Sequence, residues 1–189
     1  MKKAFHTVMG IIVALVAVGS IIMIFTSESK SVLCDVMATD AAKAAYSSGE
    51  QILCHDTKQE LSFDGYMRCY SLIYIPAERE LQVTVKSNVS VYEKLGTTAE
   101  RGFVFKLYDV ETGKEFTKYA EQRESSGRYG YYRLAFSGVE FSDKADIELV
   151  MLCPDDVERG SVIKIHEAGQ EFTEYKLSKE EIAQLAGRD

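Results

Sequence analysis

The chain has 189 residues, with 29 Asp and Glu against 22 Lys and Arg and a formal charge of −7. That balance argues against nucleic acid as a partner, because a basic face is wanted there, and against a polybasic grip on anionic lipid. The length suits one domain of ordinary size with small appendages.

Residues 1–3 (Met1, Lys2, Lys3) form a basic end too short to fold or carry an activity. From Ala4 to Thr26 there is no Asp, Glu, Lys or Arg. A helix over this stretch reaches roughly 34 Å at about 1.5 Å per residue, enough for a hydrocarbon core of about 30 Å. A cleaved signal peptide has a shorter apolar core that ends in a small-residue site. Here the best such site, Val18-Gly19-Ser20, runs straight on into Ile21, Ile22, Met23, Ile24 and Phe25. A retained membrane helix over 4–26 is therefore expected, with the lipid bilayer as its surroundings. Lys2 and Lys3 precede the span while Glu28 and Lys30 cancel after it. The positive-inside bias then keeps the N-terminus cytoplasmic and sends the rest of the chain out of the cytoplasm.

Residues 27–60 read as a helical and linker segment. Ser31–Ser48 lacks Gly and Pro, places Leu33, Met37, Ala41 and Ala44 at helical spacing, and is closed by Gly49. Nothing between Thr26 and Ser31 breaks a helix strongly, so the membrane helix is free to run on to about Tyr46. The chain then changes period. Residues 61–176 carry seven to eight candidate strands at short intervals with little helix among them, which predicts an antiparallel, immunoglobulin-like β-sandwich. Tyr66–Ile75 alternates and stops at Pro76. Leu81, Val83 and Val85 alternate with Glu80, Gln82, Thr84 and Lys86, the pattern of a strand with one wet side. Phe103, Phe105 and Leu107, a turn at Glu111–Lys114, and a return through Phe116 read as a hairpin. In residues 177–189, Ser178 and Glu181 form a capping box flanked by Leu177 and Ile182, with Gly187 at the stop; a helix over Lys179–Ala186 follows.

Candidates for chemistry are few. His166 opens "HEAGQ", but Gln170 stands where a zinc protease needs its second histidine. Cys54, His55 and Asp56 are adjacent, whereas a thiol nucleophile and its base meet from different elements. No metal site, cofactor site or catalytic set is expected. All four cysteines lie beyond the apolar stretch, where disulfides form. Cys34 with Cys54 and Cys69 with Cys153 are the expected pairs, the second because both fall on the core phase of their strands. The most suggestive surface is on the Tyr66–Ile75 strand. Strict alternation puts Met67, Cys69, Ile73 and Ile75 on one face and Tyr66, Arg68, Tyr70 and Tyr74 on the other. An outward tyrosine face can stack on a sugar or anchor a protein interface.

The expected function is a single-pass membrane protein that presents a binding or scaffolding module outside the cell membrane. Its partner would be another protein or an envelope component. One alternative is an assembly subunit. A membrane helix running into an amphipathic helix and a β domain resembles pilin-like subunits, which implies one continuous helix from Ala4 to about Tyr46. The pilin cleavage signature is absent, since Gly10 is followed by Ile11 and position 15 is Leu15. The third possibility is an enzyme built on Cys54 and a histidine.

Overall fold

The computed structural model describes residues 35–55, 60–61, 67–88, 102–126, 129–141, 145–153, 156–167 and 169–187. The expected span at 4–26, Cys34 and Tyr66 lie outside them. No helix among the described residues is long and apolar enough to cross a membrane.

The fold is mainly β, an antiparallel sheet curled around its own core, with a helix near each end of the described chain. The strands are β1 (Leu53–His55), β2 (Glu60–Leu61), β3 (Met67–Ile75), β4 (Glu80–Asn88), β5 (Val104–Asp109), β6 (Glu115–Ser126), β7 (Tyr129–Ser137), β8 (Ile147–Cys153), β9 (Asp156–His166) and β10 (Thr173–Glu174). The helices are α1 (Asp40–Ser48) and α2 (Lys179–Leu185). Nine strands follow one hydrogen-bonded path, β10-β1-β3-β4-β7-β6-β5-β8-β9, and β2 pairs with β3 beside it. Within this path β5, β6 and β7 are successive hairpin strands and β8 returns beside β5, a Greek key.

The curl arises in β6. Phe116 pairs with Leu107 of β5, whereas Thr117 onward pairs with β7, and an irregularity between Lys118 and Ala120 bends the strand there. As a result Met67, Leu81, Val83, Leu134 and Phe136 from one arm share a core with Phe105, Leu107, Leu149 and Met151 from the other. The hairpin expected from Phe103 to Phe116 is present. Phe103, Phe105, Leu107 and Phe116 are buried, and Gly113 takes the left-handed conformation (φ 67°) that its turn requires.

A second, smaller cluster lies on the outer face of β3. Ile73 and Ile75 pack there against Val36, Ala42 and Ala45 of the N-terminal region, with Ile52 and Leu185. Two readings of the sequence are corrected by this layer. Glu80, Gln82 and Thr84 do not face water; they are 1%, 3% and 7% exposed. The α1 helix does not begin at Ser31 either. Residues 35–39 are non-helical, and Thr39 in extended conformation (φ −70°, ψ 166°) caps α1 by accepting from the Ala42 amide. A continuous helix from Ala4 to Tyr46 is therefore ruled out by residues 35–39.

The strict alternation predicted along Tyr66–Ile75 fails for a definite reason. A β-bulge between Cys69 and Ser71 inserts Tyr70 as an extra residue. One inserted residue exchanges the faces of everything after it. Met67 and Cys69 point into the main core, but beyond the bulge Leu72 and Tyr74 do so, and Ile73 and Ile75 turn outward.

Candidate functional site: a tyrosine–lysine face and a buried polar layer

Tyr74 leaves the predicted tyrosine face. It is 9% exposed, its hydroxyl donates to the Val139 carbonyl at 3.3 Å, and its ring meets Phe141 edge-on at 4.5 Å. Arg68 and Tyr70 remain exposed on the outer face of β3. Strand pairing supplies the neighbours that the sequence alone did not suggest. Arg68 lies opposite Lys86 of β4, which lies opposite Tyr131 of β7. The Lys86 ammonium sits over three rings, 4.3 Å from the Tyr129 centroid, 5.4 Å from Tyr131 and 5.5 Å from Tyr70. Each contact lies inside the roughly 6 Å range of a cation–π attraction. Lys86 and Tyr129 are half-buried and Tyr131 is buried, so the ammonium holds rings from two strands in one patch.

The same outer face carries a different arrangement nearer α2. Gln82 pairs with the backbone of Met37 through both ends of its amide: Oε1 accepts from the Met37 amide at 2.7 Å and Nε2 donates to its carbonyl at 2.9 Å. The Glu80 carboxylate accepts from Thr39 Oγ1 at 2.7 Å, from Gln82 Nε2 at 2.6 Å, and from the Tyr119 hydroxyl. Glu181 closes the capping box with the Ser178 amide at 2.7 Å, and also accepts from the Val36 amide at 3.0 Å and the Tyr175 hydroxyl at 2.9 Å. Buried polar groups require partners. Here the backbone of residues 36–39 supplies several of them, which is why a polar stripe could be covered. The N-terminal segment is thereby fastened to β4 and α2 through side chains.

Burial raises the Asp35 carboxyl above its ordinary value of 3.8, the nearby Glu181 charge adds to this, and Arg133 opposes it. Burial likewise raises Glu80 above 4.5, against the hydrogen bonds from Gln82 and Thr39. Burial, with the Asp35 and Glu181 charges, lifts Tyr175 far above its usual range, so it stays a donor. Its hydroxyl donates to Glu181 at 2.9 Å and, at the longer distance of 3.5 Å, to Asp35 Oδ2. Carboxyls with raised folded values stabilise the fold fully below their unfolded values and lose that contribution as pH rises through the folded ones. The stability these two carboxyls contribute is therefore expected to fall as pH rises above their ordinary values of 3.8 and 4.5, with a shallower slope in Asp35→Asn. A calorimetric pH series in which wild type and variant run parallel would contradict this.

The remaining candidates do not assemble. Cys54, Cys69 and Cys153 carry no disulfide. The expected Cys69–Cys153 bridge is thus absent, although both side chains do enter the main core as their strand phases require. Cys54 packs at the outer cluster and contacts Thr173 Oγ1 at 3.5 Å; its expected partner Cys34 lies outside the described residues. His55 turns instead to the Phe172 ring at 5.9 Å, so neighbours on β1 point apart and no thiol–imidazole pair forms. His166 is buried with Nδ1 2.8 Å from the Ala145 carbonyl oxygen and its ring stacked on Phe172. Among the described residues no three His, Cys, Asp or Glu side chains come together as a metal site would need.

No family model matches the chain, and neither the curated proteins nor the solved structures contain a match to it.

Proposed function

We propose that the chain is a single-pass membrane protein whose extracytoplasmic domain, an immunoglobulin-like sandwich in its finer architecture, binds a protein or envelope component at the cell surface. The uncharged stretch from Ala4 to Thr26 supports the anchor, and the two arms sharing one core support the sandwich. One observation carries the binding reading: Lys86 gathers Tyr70, Tyr129 and Tyr131 into a patch beside the exposed Arg68. Flat rings with a polar rim and a cation suit stacking against a sugar ring or a partner's side chains.

The test uses the full-length protein purified in mild detergent from its own membranes. The combined change Tyr70→Ser and Tyr129→Ser should reduce the recovery of co-purifying material at least tenfold while the circular dichroism stays native. Unchanged recovery from a folded variant would remove the patch as the binding element. Loss on exchanging only residues 4–26 for an unrelated span would assign recognition to the membrane helix.

A further inference from the structure

A cleft of about 360 Å³ opens where α1, the chain around Gly49–Ile52, β10 and the entry to α2 meet. This volume lies at the small end of the range of ligand pockets, roughly 300–1,000 Å³. Its apolar surface comes from Tyr46, Ile52, Leu177 and Ile182. Ile182 is 39% exposed although its neighbours Glu181 and Leu185 on the same short helix are buried. The helix thus shows an aliphatic side chain to the cleft after its own packing is complete. Two exposed carboxylates, Glu50 and Glu174, also line the cleft, and among the described residues no lysine or arginine does. Glu174 belongs to β10, an end strand that pairs only with β1 among the described residues. An end strand offers main-chain groups to an added segment.

From this we infer that the cleft docks a short apolar segment of a partner protein that carries a lysine or arginine. The apolar floor takes an aliphatic or aromatic side chain, and the two carboxylates attract the neighbouring cation and repel acidic competitors. Charge decides among the occupants. Anionic lipid would meet Glu50 and Glu174 at close range, and a second copy would bring a domain that is itself acidic. The surface shares no residue with the Tyr70 patch, so the inference stands or falls apart from it.

The experiment places the photo-crosslinker p-benzoylphenylalanine at Ile182, and separately at Tyr46, in the full-length chain in its native membrane. Val110, exposed beside the β5–β6 turn, is the control position. Both cleft positions are expected to crosslink to one and the same protein while Val110 does not. Mass spectrometry should place the attachment within a few residues of a lysine or arginine. Glu50→Lys with Glu174→Lys should lower the Ile182 adduct at least fivefold, Glu50→Gln with Glu174→Gln should lower it less, and both pairs should leave the thermal midpoint near wild type, since both side chains are exposed. The inference is overturned by no adduct, by adducts only with lipid or with a second copy, by an attachment site lacking basic residues, or by an adduct indifferent to both pairs of substitutions.

Discussion

Glu181→Ala is expected to destabilise the domain by about 2–4 kcal/mol, because one buried and two part-buried donors lose their shared acceptor together. The donors are the Val36 and Ser178 amides and the Tyr175 hydroxyl. Part of the loss is a helix cap, worth about 1 kcal/mol by itself; the rest is the fastening of the N-terminal segment. Glu181→Gln keeps one acceptor oxygen and should cost about half as much. Urea denaturation of the domain from residue 35 onward gives the comparison. A cost below about 1 kcal/mol would mean that water replaces the carboxylate freely, and that residues 35–39 are not held as described.

Phe105→Ala should cost a similar amount, about 3–5 kcal/mol, for a different reason: an unfilled cavity in the shared core. Phe105 is 2% exposed and its ring centroid lies 5.1 Å from that of Tyr132 and 6.4 Å from that of Phe103. Phe105 belongs to the β5-β8-β9 arm, and Tyr132 to the β3-β4-β7 arm. A double-mutant cycle between them should return a coupling of about 0.5–1.5 kcal/mol. Additive losses would mean that the two arms do not close on a common core.

Regular local patterns were readable in the sequence wherever nothing distant intervened. The period of two through Phe103, Phe105 and Leu107, and again through Ile147, Leu149, Met151 and Cys153, reports buried faces correctly because those strands run without insertion. The capping box of Ser178 and Glu181 is local as well, and it forms. The further role of Glu181 could not be read, because Val36 lies 145 positions away. Glu80 and Gln82 look solvated beside Leu81 and Val83, since nothing in β4 itself announces that residues 36–39 will satisfy them. Tyr70 is the opposite case. Its neighbours alternate convincingly, yet one bulged residue sends Tyr74 inward and Ile73 outward. Of the candidate surface, Arg68 and Tyr70 were legible. Lys86, Tyr129 and Tyr131 join them only through the register of β3, β4 and β7.

The location of the domain is the premise on which both proposed surfaces depend. It is tested most directly by adding protease to intact cells whose outer layers have been made permeable, with an epitope placed after Asp189. The epitope is expected to be digested while a cytoplasmic marker survives, since the proposed topology keeps Lys2 and Lys3 inside. An epitope that stays protected until the cell membrane itself is broken would contradict it.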